Sequence, residues 1–268
     1  MNNQALELAA SIRARLEAVA QPEFAAGAGN FFREPVDPIG VRSRDLQKVV
    51  AGVYRAVKKW PAAERNRLCT LLWEGGKMEE GVLVCHLYRR LAKQCAGPEF
   101  RMFERWMDRY VHNWAHCDGV SSWLLAACVA NEPALTDKLP PWTRSKNRWK
   151  RRAAAVSLLQ EAKKGRSTRT IFAIAGMLRD DPDDMVQKGV GWLLKETYPR
   201  RPREVVSLLA GWSGAPRLML RYACEKMTPA DRARVLGQGP GAPGRRGRAS
   251  ALARGGFLTD HFVTGVAR

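Results

Sequence analysis

A chain of 268 residues, 46% of them hydrophobic, has enough apolar surface to build a core, which excludes wholesale disorder. Its 45 Lys and Arg against 26 Asp and Glu leave a formal charge of +19 and a pI near 10.3, so self-repulsion opposes folding and a polyanionic partner is expected. Nucleic acid is the first candidate, an anionic membrane surface the second, and no apolar run approaches the roughly 20 residues that a bilayer-spanning helix needs.

Residues 1–20 mix acids and bases with apolar residues and lack the h-region of a signal peptide, so a cytoplasmic protein is expected. Residues 45–59 place Leu46, Val49, Val50, Val53, Tyr54 and Val57 at i, i+3, i+4 spacing, the stripe of an amphipathic helix. Pro61 opens a second helix through Leu68, Leu71 and Leu72, which Gly75-Gly76 breaks. A third runs over 79–94 to a break at Gly97-Pro98. Further helices are predicted over 99–112, 119–131, 147–164, 168–179, 184–198, 203–212, 217–226 and 229–236, each bounded by Gly, Pro, Asn or Asp.

Strand alternation is almost absent, so the fold class is all-α. Two helices per roughly 35 to 45 residues match degenerate HEAT-like pairs, which stack into a solenoid with a concave face. A compact helical bundle is the alternative. The HEAT-like domain is expected over 1–236. Residues 237–268 begin GQGPGAPGRRG and carry Arg245, Arg246, Arg248 and Arg254. They read as a flexible basic tail, either a solvated terminus or a non-specific phosphate contact.

Six cysteines, Cys69, Cys85, Cys95, Cys117, Cys128 and Cys224, show no CxxC spacing and read as reduced core residues. Of the four histidines, His112 and His116 stand four apart and could bridge a metal on a helix, but such a pair is more often structural. No metal and no cofactor are expected.

Three segments carry candidate chemistry. On a helical wheel of 184–198, Val186, Val190, Leu193, Leu194 and Thr197 share one face, while Trp192 lies opposite, flanked by Lys188 and Lys195. Either another element covers this tryptophan, or the face meets DNA with lysines on phosphates and the indole on sugar or base. In 147–164 the apolar stripe projects back onto Arg148, Arg151 and Arg152. Cations at a helix N-terminus oppose the macrodipole, so a carboxylate or an external anion must compensate them, unless they are ordinary surface arginines. In the third segment, Asp118 precedes Gly119-Val120-Ser121 at what reads as a helix N-cap, and Trp114 four residues earlier reads as core or site.

The segments NWAHCDGVS, NRWKRRAAAV and MVQKGVGWLLKE together resemble the AlkD-like family of bacterial DNA alkylation repair, and the resemblance spans residues 40–237. It implies a HEAT-like glycosylase that holds double-stranded DNA on a concave face and hydrolyses the N-glycosidic bond of N3- or N7-alkylated purines without flipping the base. It implies catalytic roles for Asp118, Trp114, Arg152 and Trp192, with Arg148, Arg151, Lys188 and Lys195 as DNA contacts. Residues 27–38, including Phe31 and Phe32, match the family poorly. A monomer is expected, and a non-catalytic module that binds damaged or branched DNA on the same fold is the alternative.

Overall fold

The computed structural model describes residues 3–237, and every regular element among them is helical. The expected tail, from residue 238 on, lies outside the described residues. The described residues form two compact units, 3–95 with 102–124, and 96–101 with 125–237. Within each, a helix packs on others one to three places away in the chain, so that contacts stay local in sequence, consistent with stacked HEAT-like pairs.

The first unit opens with α1 (Gln4–Glu17) and α2 (Pro22–Ala28), which precede the first helix that the periodicity picks out. The inward stripe of α1 is Ala5, Ala9, Ile12 and Leu16, and its two alanines make the apolar signal weak. Then follow α3 (Ser43–Val57), α4 (Ala62–Glu74), α5 (Met78–Arg90) and α6 (Gly97–Arg109). The central element is α5, buried from Met78 to Tyr88 and packed on α3 and α4. Its glutamates serve the fold. Glu80 pairs with Arg13 of α1 at 2.6 Å, and the Glu79 carboxylate accepts the backbone N–H groups of Ile39, Gly40 and Val41, fixing the approach to α3. Trp73, Tyr88, Phe103 and Trp106 meet around α5 in tilted and edge-on contacts.

The helix expected to begin at residue 119 begins five residues earlier. Segments α7 (Trp114–Gly119) and α8 (Ala126–Asn131) are joined without a break by a π-helical turn, Val120–Leu125. Two serines accompany the widening. Ser121 Oγ donates to the Cys117 carbonyl at 2.6 Å and Ser122 Oγ to the Asp118 carbonyl at 2.7 Å, each one turn back. Such back-bonding competes with the regular backbone ladder and bends helices.

The second unit holds α9 (Arg148–Val156), α10 (Leu159–Lys164), α11 (Thr168–Met177), α12 (Asp184–Thr197), α13 (Pro202–Ala210), α14 (Arg217–Ala223) and α15 (Pro229–Leu236). The helix predicted over 147–164 is thus two, divided where the Leu158 N–H turns back to the Ala155 carbonyl. The central helix is α12, packed on α9 and α14. Its expected inward face, Val186, Val190, Leu193, Leu194 and Thr197, is buried throughout. Gly191 lets α14 come close, since a methyl there would lie 2.6 Å from the Met219 carbonyl oxygen. All six cysteines are buried and unbridged. Among the described residues no helix is long and apolar enough to cross a membrane.

Packing at Gly191 is testable. Gly191→Ala forces a methyl against backbone and should cost about 1–3 kcal/mol. Gly176→Ala, on the exposed side of α11 with nothing within 4 Å, should be neutral or stabilising by up to about 1 kcal/mol. Urea denaturation of both variants gives the comparison, and equal stability would remove the close approach as a constraint.

Candidate functional site

In the first unit the site begins with a cap. The Asn113 side-chain oxygen accepts the His116 N–H at 2.9 Å, which starts α7 at Trp114. The expectation that Asp118 caps a helix is therefore corrected, because Asp118 lies one turn inside. The cap is locked from behind. His116 Nε2 faces the Met78 carbonyl at 2.9 Å, so it must carry the proton, and Nδ1 then accepts from the Asn113 amide at 3.1 Å. Trp73 meets the imidazole edge-on at 5.0 Å. Space for this ring comes from Gly81 of α5, where a methyl would lie 2.6 Å from His116 Nε2. Both ring nitrogens are thus engaged, so His116 is structural, while His112 is exposed. Burial pushes His116 down to about 4, against a partly opposing contribution from the Met78 carbonyl.

This first turn presents Trp114 and Asp118 one turn apart. Trp114 is half-buried. Its ring stacks on Phe32 with centroids 5.3 Å apart and planes 18° apart, and its indole N–H donates to the Phe31 carbonyl at 3.3 Å. The poorly matching stretch 27–38 therefore builds one wall beside Trp114, a contact that no local pattern in the sequence signals. Asp118 is only 1% exposed, with its carboxylate withdrawn beneath the surface.

In the second unit the arginines find their counter-ions nearby. Arg151 pairs bidentately with Asp181, at 2.7 and 3.2 Å, and donates to the Ser145 carbonyl at 3.0 Å. Arg148 pairs with Asp183 at 3.0 Å and sits over the Trp149 ring. Asp183 also caps α12, accepting the N–H groups of Met185 and Val186. The acidic run Asp180-Asp181-Pro182-Asp183-Asp184 thus supplies the carboxylates expected to compensate α9, and their identity was not legible in the sequence because they lie 30 or more residues further on, in the loop before α12. Arg152 is buried, donates to the Met185 carbonyl, and lays its stem against Gly189, where a methyl would lie 3.2 Å from its Cγ.

The opposite face of α12 carries the expected aromatic–cation strip. Trp192 is half-buried, neither covered nor free. Lys188 pairs with Asp184 at 3.5 Å and Lys195 with Glu225 at 2.8 Å. So Trp114 and Asp118 share one turn of α7. Arg152, Lys188, Trp192 and Lys195 gather on or against α12, with Arg148 and Arg151 tied to the loop that precedes it.

The buried His116 makes the site pH-sensitive. Its folded pKa lies below the unfolded value near 6.5, so the unfolded chain binds more protons between the two values. Its contribution is intact above pH 6.5 and is lost as pH falls toward 4, at about 1.4 kcal/mol per pH unit at most. Calorimetry at pH 5.5, in buffers of differing ionisation heat, should show proton uptake on unfolding. No uptake attributable to His116, judged against His116→Gln, would mean that its ring titrates normally.

A family model described as DNA alkylation repair enzyme matches residues 12–227. Among solved structures, one described as a predicted DNA alkylation repair enzyme from Enterococcus faecalis is similar with a TM-score of 0.72 and 16% identity, over 78% of this chain and 97% of that one. Another, smu.31 from Streptococcus mutans UA159, is similar with a TM-score of 0.52 and 15% identity, over 68% of this chain and 98% of that one. At such identities these likenesses speak for the shared helical fold. No curated protein matches the chain significantly. The family match runs from α1 through the last turn after α14 and takes in every helix that carries a candidate residue, so the chain belongs to the DNA alkylation repair enzyme family.

Proposed function

We propose that this protein is a monofunctional DNA glycosylase that hydrolyses the N-glycosidic bond of cationic N3- and N7-alkylated purines in duplex DNA, without flipping the base. The observation that carries this reading is Asp118, a buried carboxylate held one turn from the half-buried ring of Trp114 on a helix whose start is locked by Asn113 and His116.

Alkylation at N3 or N7 makes the purine a cationic leaving group. As the bond to the sugar breaks, positive charge develops on the deoxyribose. A carboxylate withdrawn from water is weakly screened and stabilises that charge, and it can orient the attacking water. Trp114, one turn from Asp118, offers its π-face to the cationic sugar, and Trp192, between Lys188 and Lys195, offers an aromatic face to the DNA backbone. Arg152 adds positive charge beside the α12 strip, and no metal or cofactor enters this scheme.

The paired cations differ in how readily they turn to phosphate. The lysine pairs Lys188–Asp184 and Lys195–Glu225 are partly exposed, and such pairs hold by only about 0–1 kcal/mol. Arg148 is similarly accessible. Arg151, fixed bidentately in a mostly buried pair, exchanges least. These residues act as phosphate contacts in the order Lys188, Lys195 and Arg148 before Arg151.

The deciding experiment is base release from duplexes carrying one defined lesion each, analysed by mass spectrometry. Release of 3-methyladenine and 7-methylguanine is expected, with little or none of ethenoadenine or uracil, since neutral leaving groups need an acid that this site lacks. Asp118→Asn should slow release by about 10²–10³-fold, the usual cost of losing one electrostatic stabiliser, with melting temperature and DNA affinity kept. Efficient uracil removal would refute the mechanism. Failure on every lesion with tight DNA binding would favour the non-catalytic recognition module.

A further inference from the structure

Every cation named above as a DNA contact already faces a carboxylate. Two arginines outside that set do not. Arg89 and Arg90 end α5 on the exposed side, and neither forms an ion pair among the described residues. Each lies over an aromatic ring instead. The Arg89 guanidinium sits 4.6 Å from the centroid of Trp123, on the π-helical turn, and Arg90 sits 5.8 Å from that of Tyr54, on α3. Trp123 is backed by the His86 ring at 4.8 Å, and His86 is held by the Gln47 amide. Three helical segments thus converge on two adjacent guanidiniums.

Fold stability accounts for only part of this. A cation in the last helical turn complements the macrodipole by about 0.3–1 kcal/mol, but two neighbours repel each other, and the Arg90 charge indeed adds to desolvation in lowering the pKa of Arg89. Stacking over a ring is worth about as much, and it has a geometric consequence. The ring orients the cation without consuming N–H donors, so the guanidinium keeps its hydrogen-bonding edge for an external acceptor. Two oriented, unneutralised guanidiniums side by side suit oxyanions that recur at short intervals. In a chain of charge +19 belonging to a DNA repair family, the fitting oxyanions are successive backbone phosphates.

We propose that Arg89 and Arg90, seated on Trp123 and Tyr54, form a second phosphate-binding platform that grips the DNA backbone away from Asp118. Trp123 follows Asp118 by five residues, a little over one turn further along the same continuous helix and on a different side of it. The platform therefore engages flanking duplex, independently of damage. The proposal rests on DNA being the partner, but not on glycosylase chemistry.

The test is the salt dependence of binding to an undamaged 20-base-pair duplex by the full-length protein. Arg89→Ala with Arg90→Ala should reduce the slope of log K against log salt by about two and weaken binding about tenfold or more near 0.1 M salt. A charge-matched control, Arg232→Ala with Arg234→Ala on exposed positions of α15, should leave the slope nearly unchanged. Trp123→Leu keeps both charges, and it should weaken binding in part while the melting temperature reports on folding. An unchanged slope, an equal drop in the charge-matched control, or loss of binding to anionic phosphatidylglycerol vesicles but not to DNA would each overturn the platform. If the wild-type protein releases no base, the glycosylase reading falls while the salt slope still decides this one.

Discussion

Close approach of side chains and backbone to the two central helices governs what this protein can present. In the first unit α5 is buried along nearly its whole length, and Gly81 leaves the space in which Trp73 and His116 meet. In the second unit α12 stands between α9 and α14. Gly189 admits the stem of Arg152 on one side, and Gly191 admits the backbone of α14 on the other. A methyl at Gly81 or Gly191 would sit under 3 Å from a neighbour in a close-packed interior, where strain has nowhere to go. The His116 lock, and through it the start of α7, depends on the first of these gaps. The position of Arg152 against α12 depends on another.

Electrostatics adds a second layer. A charge of +19 is tolerable only if the excess is spread, or if local acids neutralise the worst concentrations. The run from Asp180 to Asp184 does the latter. It holds Arg148, Arg151 and Lys188, and Asp183 caps α12 as well. The cations nearest α12 are thereby organised rather than free, and those with exposed partners are the easier to redirect. Arg89 and Arg90 follow the other solution, with aromatic rings in place of carboxylates.

Aromatic residues serve two distinct ends. Trp73, Trp106, Phe103 and Tyr88 fill the first unit's core around α5. Trp114 and Trp123 lie half-exposed on the helical stretch that contains the π turn, one on Phe32 and one under Arg89. That turn, with serine hydroxyls bonded back to the Cys117 and Asp118 carbonyls, sits between them and resets the register of the residues that follow.

The sequence by itself determined the all-helical class, most helix positions, the inward face of α12 and the outward placement of Trp192 beside Lys188 and Lys195. These follow from a 3.6-residue period, which is a local property that the chain carries in order. It also carried the motifs that point to Asp118, Trp114 and Arg152. It could not separate a cap from an interior carboxylate at Asp118, because the true cap, Asn113, is recognisable only once His116 is seen against Met78, 38 residues away. It hid α1, whose inward stripe is half alanine, and the wall of Phe31 and Phe32, which reaches Trp114 from 83 and 82 residues away. Counter-ions for Arg148 and Arg151 lie in the loop before α12, and rings for Arg89 and Arg90 lie on other helical segments. Tertiary packing alone decided which charges are neutralised and which remain open, because pairing depends on distance in space, and periodicity records only distance along the chain.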